Sequence, residues 1–383
     1  MTRWQALALV LGAILPSALI SWAFALVVRR KAADWGWLDQ PGHRKVHTSP
    51  VPLGGGVAIW LGVVGTFAVG QLALWAARQW GPPQALLEFG GFAAIWELAA
   101  PHLNGLAQQS WRLWLLLGAG TVLMALGLLD DRKQLDWRIR ILVELVVATF
   151  IVWHGWRLTL FLDWPAFTFV LSVLWIVGLI NSFNFLDNMD GLSGGVAAIA
   201  ASILAAVLLV APDPRTNQPQ LFIAGFLLVL IGALLGFLLH NRSPARIFMG
   251  DAGAYFIGFS IATATIMATF AVRDKPHAIL APLCVLAVPI YDTLTVIAIR
   301  LRAGKSPFEG DKNHFSHRLV DLGMTKPQAV LTIYLTTATC GLGAFLLHQV
   351  NAAGAVIVVL LIACVLAIIA ILEITARHQR KGK

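Results

Sequence analysis

The stretch that decides the fold is PAFTFVLSVLWIVGLINSFNFLDNMDGLSGGVAAIAASILAAVLLV, residues 165–210. It carries two long apolar runs, 165–186 and 191–212, and its two charged residues, Asp187 and Asp190, lie between them. A helix needs about 20 apolar residues to cross the hydrocarbon core of a bilayer. The stretch therefore predicts two membrane-spanning helices joined by a short acidic turn.

The composition of the whole chain agrees with this local pattern. Of the 383 residues, 58% are hydrophobic and 12% are charged, and the mean hydropathy is +0.77. A soluble domain carries about a quarter charged residues, so the composition excludes a soluble globular domain and a disordered chain. The three cysteines all lie in apolar stretches, which indicates packing rather than a disulfide framework or a zinc site.

Similar apolar runs predict an all-α, polytopic transmembrane helix bundle of eleven helices. Ten runs are clean: about 4–28, 53–77, 112–129, 165–186, 191–212, 216–239, 252–272, 276–299, 328–347 and 353–373. The eleventh, about 138–154, is interrupted by Arg140 and Glu144, so ten helices is the alternative.

Basic residues predict the orientation of this bundle. Of the 28 lysines and arginines, 21 lie in alternate loops and the C-terminal tail, namely 29–52, 130–140, 183–190, 240–251, 300–326 and the residues after 374. Such loops are cytoplasmic by the positive-inside rule, which predicts an outside N-terminus and a cytoplasmic C-terminus. The net charge of +9 is then mainly a topology signal, and no nucleic-acid partner is expected. The chain, 1–383, is predicted to be a single integral membrane domain whose cytoplasmic loops form the active site.

Aspartates gather at the predicted cytoplasmic side. They are Asp130 and Asp131 after the third helix, Asp187 and Asp190 after the fifth, and Asp251 before the eighth, while Asp292 lies within the ninth. Adjacent carboxylates resist joint ionisation unless a cation neutralises them, and hard oxygen ligands suit Mg²⁺ or Mn²⁺. Each aspartate alone has helix capping as an equal alternative. Four separate segments place carboxylates at the same predicted side of the membrane, which favours a divalent-metal site. An aspartate inside a membrane span, such as Asp292, indicates a functional residue.

The loop 300–326 is rich in arginine, lysine and histidine, which suits a polyanion such as a pyrophosphate. His314 and His317 are three residues apart and would share one face of a helical turn. Phosphate contact or proton handling is favoured over zinc, because no third ligand stands at the required spacing. Surface histidines without a role remain the alternative.

Taken in order, these motifs resemble a known family, the polyprenyl-phosphate N-acetylhexosamine-1-phosphate transferases of glycosyltransferase family 4. The resemblance runs from about residue 38 to 325. It covers LDQPGHRKVH at 38–47, the Asp130-Asp131 pair, Asn184-x-x-Asp187-x-x-Asp190-Gly191, Phe248-Met-Gly-Asp251, the Asp292 segment and the His314–His317 loop. The proline-rich first loop is more similar to the UDP-N-acetylglucosamine branch than to the UDP-N-acetylmuramoyl-pentapeptide branch.

The resemblance implies a reaction and a setting. A UDP-sugar would donate a sugar 1-phosphate, most closely N-acetylglucosamine 1-phosphate, to undecaprenyl phosphate with release of UMP, as the first step of cell-wall or surface-glycan synthesis. The cofactor would be Mg²⁺, with Mn²⁺ as the alternative. The protein would cross the bacterial inner membrane many times, contact the bilayer lipids and keep its active site in the cytoplasm; a homodimer is left open.

The resemblance also implies roles for individual residues. Asp251 and Asp131 would hold the metal, Asp130 and Asp131 would position or deprotonate the lipid phosphate, and Asp187 and Asp190 would order metal and nucleotide. Phosphate, sugar or uracil contacts are implied for Arg44, Lys45, His47, Asn184, Asn241, Phe248, Asp292, His314 and His317.

Three positions depart from the family pattern, and two other functions stay open. Asn188 stands where the family commonly has glycine, Ala254 where it has serine and Ser316 where it has histidine, which bears on the sugar donor. The nearest alternative is a phospho-N-acetylmuramoyl-pentapeptide transferase. The distant one is a non-enzymatic lipid or solute transporter, which would place its ionisable residues near the bilayer midplane.

Overall fold

Helices account for almost all regular structure in this protein. The computed structural model describes residues 3–40, 50–88, 92–93, 96–97, 100–158, 164–211, 213, 218–271, 275–308 and 310–381, without the side chains of 86, 102, 106 and 375–381. The chain is 79% helical, and the described residues form a single two-stranded sheet. The prediction of an all-α helix bundle is confirmed.

The main helices, in chain order, are α1 (Arg3–Lys31), α2 (Gly55–Trp80), α3 (Leu103–Lys133), α4 (Trp137–Trp153), α5 (Pro165–Leu186), α6 (Leu192–Val210), α7 (Leu221–Asn241), α8 (Gly250–Met267), α9 (Ala281–Val285), α10 (Ala287–Arg302), α11 (Phe315–Asp321), α12 (Lys326–Leu347) and α13 (Ala352–Lys381). A helical turn at Gln84–Leu87 and two 3-10 segments, Ala100–His102 and Pro276–Leu280, complete them.

Each of the eleven predicted segments overlaps a helix of the structure. Eight helices in the described part of the chain are long and apolar enough to cross a membrane. A ninth candidate is the pair Pro276–Val285 and Ala287–Arg302, bent by 67°. The other two segments correspond to α4 and α8, of 17 and 18 residues. The chain is a multi-pass membrane protein, while the number of crossings and the location of the termini stay predictions.

The turn between α5 and α6 has a local explanation. Proline at position 165 begins α5 with a φ angle already suited to a helix. Gly191 precedes α6 with φ of 76°, a left-handed conformation that glycine adopts without steric cost. The chain therefore reverses between Leu186 and Leu192, and the acidic turn lies at the same end of the bundle as both helix termini.

Helix α8 packs backbone to backbone against two neighbours. A Cβ atom added at Gly127 of α3 would lie 2.4 Å from the amide nitrogen of Ala252, and one added at Gly56 of α2 would lie 2.1 Å from that of Gly253. Small residues permit this close approach between membrane helices. The packing places the end of α3, with its two aspartates, beside the start of α8.

The loop between α1 and α2 contains a small sheet. Strands β1 (Leu38–Asp39) and β2 (Val51–Pro52) pair antiparallel. The backbone N–H of Phe248 donates to Pro52 O at 2.8 Å, and that of Gly55 donates to Phe248 O at 2.9 Å. These bonds connect the loop to the segment that precedes α8. The predicted substrate residues Arg44, Lys45 and His47 lie outside the described residues.

Candidate active site

A cavity of about 1090 Å³ lies at the end of the bundle where α3, α5 and α7 finish and α6, α8 and α12 begin. Its charged and histidine lining is Asp39, Asp131, Asp187, Asp190, Asp251, Asp311, Arg242, Lys312, His314, His317 and Lys326. Most of the aspartates predicted from sequence therefore share one cavity, and both predicted histidines line it.

Asp131 and Asp251 are joined through the start of α8. The carboxylate of Asp131 accepts hydrogen bonds from the backbone N–H of Asp251 at 2.9 Å and of Ala252 at 3.3 Å. A carboxylate from α3 thus caps the N-terminus of α8, where the free amides and the helix dipole favour negative charge. The cap fixes the distance between the two aspartates that were predicted to bind metal.

Asn184 orients Asp251 directly. Its side-chain Nδ2 donates to Oδ1 of Asp251 at 2.5 Å. The sequence predicted Asn184 as a substrate contact, and the structure places it as the partner of the central carboxylate. The hydrogen bond fixes the orientation of the Asp251 carboxylate, which lines the cavity.

Negative charge is concentrated around Asp187, which follows the last residue of α5. Burial and the neighbouring carboxylates of Asp131 and Asp190 raise its pKa to about 7, although the backbone N–H of Gly250 donates to it. Asp190 accepts from the backbone N–H of Ala245 at 3.0 Å. A buried carboxylate near other carboxylates is stabilised as an anion when a cation binds beside it.

The donor set suits one kind of metal site. Within the described ranges, no three or more histidine, cysteine, aspartate or glutamate side chains are placed to hold a metal ion together. Mg²⁺ usually takes one or two carboxylates and completes its shell with water and substrate phosphates. Asp251 and Asp131 on one cavity wall fit that open arrangement and do not form a closed zinc cage.

Asp130 lies behind this wall, although the sequence predicted it as a catalytic partner of Asp131. It is 5% exposed and forms an ion pair with Arg140 at 2.8 Å. It also accepts from the hydroxyl of Tyr255 at 3.1 Å and from the backbone N–H of Leu135 at 2.7 Å. Arg140, which interrupts the apolar run of α4, is thus the counter-ion of Asp130, a role that sequence reasoning missed.

Asn241 connects two loops at the cavity wall. Its Oδ1 accepts from the backbone N–H of Gly191 at 2.9 Å, and its Nδ2 donates to Ile247 O at 2.7 Å. Phe248, which follows Ile247 in sequence, lines the cavity together with Asn241. The uracil contacts of Asn241 and Phe248 stay a prediction, and the structure adds a role for Asn241 in fixing the backbone beside them.

Tyr334 of α12 is a cavity residue that the sequence analysis missed. Its hydroxyl donates to Gly191 O at 2.5 Å, so the Gly191 residue is held at its N–H by Asn241 and at its carbonyl by Tyr334. A Cβ atom at Gly195 would lie 1.9 Å from the Tyr334 oxygen. A single tyrosine in an apolar helix gave no signal for this contact, which joins residues 143 positions apart.

We expect Gly195→Ala to lower the apparent Tm of the purified protein, because the new methyl group overlaps the Tyr334 ring. Overpacking of this kind costs about 1–3 kcal/mol. In a Tyr334→Ala background, Gly195→Ala should lower the Tm much less than it does in the unmodified protein. Gly225→Ala, where a Cβ meets nothing within 4 Å, is the control. Equal Tm values for Gly195→Ala and Gly225→Ala would contradict the packing.

Asp292 holds His314, which lines the same cavity. The side chain of Asp292 is fully buried. One of its oxygens pairs with Nδ1 of His314 at 3.1 Å and the other accepts from the backbone N–H of Phe315 at 2.5 Å. The sequence predicted Asp292 as a substrate contact, and the structure places it behind His314 as the group that orients the ring.

Burial and the nearby charges of His314 and Lys312 lower the pKa of His317, which favours its neutral form.

Two of the three departures from the family pattern are in contact. The Ser316 hydroxyl donates to Oδ1 of Asn188, and Nδ2 of Asn188 donates to Phe185 O at 2.7 Å. The hydrogen bond joins the acidic turn after α5 to α11, which follows His314. The third departure, Ala254, is fully buried in α8.

Comparisons with known proteins agree with the geometry. Residues 113–269 match the model of glycosyl transferase family 4. The chain is 32% identical over 368 residues to a probable undecaprenyl-phosphate N-acetylglucosaminyl 1-phosphate transferase of Bacillus subtilis, covering 93% of this chain and 89% of that one. It is 32% identical to a decaprenyl-phosphate N-acetylglucosaminephosphotransferase of Mycobacterium tuberculosis, covering 86% and 80%. It is 27% identical to an undecaprenyl-phosphate alpha-N-acetylglucosaminyl 1-phosphate transferase of Escherichia coli, covering 82% and 77%.

A multi-pass helix bundle with a charged cavity at one end, similar over most of its length to polyprenyl-phosphate transferases, is a membrane-embedded transferase. The chain belongs to glycosyl transferase family 4. The family predicted from the motifs is confirmed, and so is the N-acetylglucosaminyl branch. The transporter alternative is excluded, because the relatives that match most of this chain are transferases.

Proposed function

We propose that this protein transfers N-acetylglucosamine 1-phosphate from UDP-N-acetylglucosamine to a polyprenyl phosphate, undecaprenyl phosphate in particular, and releases UMP. The observation that carries the proposal is one cavity at which six helix termini meet, lined by carboxylates together with histidine and lysine. The names of the relatives support the donor and the acceptor.

In the reaction, an oxygen of the lipid phosphate attacks the sugar-linked phosphorus of the donor. A new P–O bond forms, and the bond from that phosphorus to the bridging oxygen breaks, so that UMP leaves with the electron pair. A phosphate whose second pKa is about 6 is mostly dianionic near neutral pH, so it needs positioning more than deprotonation. The ion pair of Asp130 with Arg140 suits a positioning role for the aspartate pair.

Asp251 and Asp131 would hold Mg²⁺, which in phosphoryl transfer neutralises charge on the diphosphate and the leaving group. Asn184 keeps Asp251 directed at the cavity, and Asp131 keeps the start of α8 in place. His314, whose Nδ1 is held by Asp292 and which lines the same cavity, would donate from Nε2 to a phosphate oxygen as the imidazolium. Each substrate anion is then balanced by a cation or a proton donor.

The location proposed for this chemistry is the cytoplasmic face of the bacterial inner membrane. The cavity is lined by Asp131 in the last turn of α3, by residues that follow α5 and α7, and by residues that begin α8 and α12. The positive-inside rule places these loops in the cytoplasm. A water-soluble nucleotide sugar and a membrane lipid phosphate can both reach a site at this boundary.

The test is an assay of UMP release by the purified protein in lipid nanodiscs. With undecaprenyl phosphate and Mg²⁺, UDP-N-acetylglucosamine should release UMP and form a lipid-linked diphosphate sugar. UDP-N-acetylgalactosamine and UDP-N-acetylmuramoyl-pentapeptide serve as competing donors, and Mn²⁺ replaces Mg²⁺ in a parallel series. Release from the pentapeptide donor alone would contradict the proposed branch, and no release from any donor would refute the enzyme reading.

We expect the apparent affinity for Mg²⁺ to fall as the pH drops from about 8 to about 6. The pKa of Asp187 is raised to about 7, so below that pH its carboxyl is mainly protonated in the absence of metal. A bound cation must displace this proton, which weakens binding by up to about tenfold per pH unit. Mg²⁺ titrations of UMP release at both pH values measure the effect. Asp187→Asn should bind Mg²⁺ more weakly and with a flatter pH dependence; an unchanged slope would contradict the assignment.

A further inference from the structure

The last helix, α13, contacts the active-site region through one buried carboxylate. Near Glu373, the side chains of Ile371, Leu372 and Ile374 are 62%, 55% and 57% exposed, whereas that of Glu373 is 6% exposed. A buried carboxylate at the end of a membrane helix is costly unless it is paired. Its presence on a mostly exposed helix indicates a specific partner.

That partner is Arg318 of α11. Its Nε donates to Oε2 of Glu373 at 2.9 Å, and the hydroxyl of Tyr291 donates to the same oxygen at 3.1 Å. Arg318 is itself 3% exposed, and its Nη2 donates to Thr295 at 3.0 Å. The guanidinium is therefore fixed in orientation by groups on α10 and α13.

Arg318 also stands beside the group that orients His314. Its Nη1 donates to the backbone carbonyl of Asn313 and lies 3.8 Å from Oδ1 of Asp292, beyond hydrogen-bond distance, while the other oxygen of Asp292 pairs with His314 at 3.1 Å. An arginine fork released from Glu373 can close on a carboxylate in a bidentate arrangement. Asp292 would then lose its hold on His314. The pair with Glu373 is the charged contact that opposes this capture, beside the neutral acceptors Asn313 O and Thr295.

We propose that Glu373 is a positioning residue for the reaction: by holding Arg318 away from Asp292, it keeps the Asp292 carboxylate available to orient His314 in the cavity. The final helix is then part of the active-site scaffold as well as a membrane span. The kinetic consequence rests on the proposed function, whereas the position of His314 can be measured without it.

The test compares Glu373→Gln with Leu372→Ala, a change at the neighbouring exposed position. Glutamine keeps the size of the side chain and removes the charge that retains Arg318. We expect kcat for UMP release to fall about tenfold in Glu373→Gln, with the donor KM changed by less than about threefold, because the Asp187–Asn241 side is untouched. Leu372→Ala should remain within about twofold of the unmodified protein.

A second readout is independent of turnover. The rate at which diethyl pyrocarbonate modifies His314, followed by peptide mass spectrometry and normalised to His317, should rise several-fold in Glu373→Gln and stay unchanged in Leu372→Ala. If Glu373→Gln fails to accumulate, Glu373→Asp serves instead, since its shorter side chain withdraws the carboxylate from Arg318 while the arginine is kept, and a rise in the same direction is expected. Unchanged His314 reactivity in the variant tested would overturn the proposal. If the His314 reactivity rises but the unmodified protein releases no UMP, the positioning role of Glu373 stands and only the proposed function is refuted.

Discussion

Asp251→Asn lowers the turnover of UMP release by at least about a thousandfold. Asparagine has the shape of aspartate, and its own carbonyl can still accept from Asn184, so the local fold is retained. The start of α8 also keeps its cap from Asp131. What disappears is the negative charge that holds the metal, and a loss of about 4 kcal/mol in transition-state stabilisation corresponds to this factor.

The control for this prediction is Asp136→Asn. Asp136 is an exposed carboxylate that caps α4 by accepting from the backbone N–H of Arg138 at 2.8 Å, and asparagine caps helices equally well. Its turnover should stay within about twofold of the unmodified protein. UMP release is measured per folded molecule, with size-exclusion profiles and apparent Tm values compared. If Asp251→Asn retained a tenth of the activity, the central role of this carboxylate would be lost.

Asp292→Asn is expected to lower turnover by about a hundredfold to a thousandfold without abolishing substrate binding. The two oxygens of Asp292 both accept, one from His314 and one from the backbone N–H of Phe315. An amide offers one oxygen and one NH₂ group, so one of these two donors then faces another donor in a buried site. The imidazole loses its fixed orientation, and general acid–base or proton-donor contributions of this size disappear with it.

Leu294→Ala is the matched control on the same helix, since that side chain is 62% exposed and lies two residues away. Its kcat should be close to that of the unmodified protein. A His314→Gln variant should resemble Asp292→Asn, and the double variant should lose little more than either single one, because both act through the same ring. Additive losses would show that Asp292 acts on a different group.

The fold was predictable because its main signal is local. A run of about 20 apolar residues marks a membrane helix from composition alone, whatever the helix later contacts. All eleven predicted segments are helical for this reason. The bend of 67° before Ala287 was not predicted, because the apolar run 276–299 continues through it without a break in composition.

The site was predictable in its acidic residues and less so in their partners. Asp131, Asp187, Asp190 and Asp251 line the cavity as expected, since charged residues at the ends of apolar runs stand out in sequence. The contact between Asp130 and Tyr255 joins residues 125 positions apart, and no periodic pattern reports such a distance. The same holds for the pair of Glu373 with Arg318, which are separated by 55 positions.

The close approach of α2, α3 and α8 leaves these three helices no room to shift relative to one another. Main-chain atoms are in contact at Gly56 and Gly127, so the backbone positions of Asp131 and Asp251 are fixed relative to each other. Residues 311–317 reach the same cavity from a loop and the start of the seven-residue helix α11. Divergence toward another sugar is therefore expected at cavity side chains that neither bind the metal nor orient His314, while the acidic residues and the pair of Asp292 with His314 stay constant.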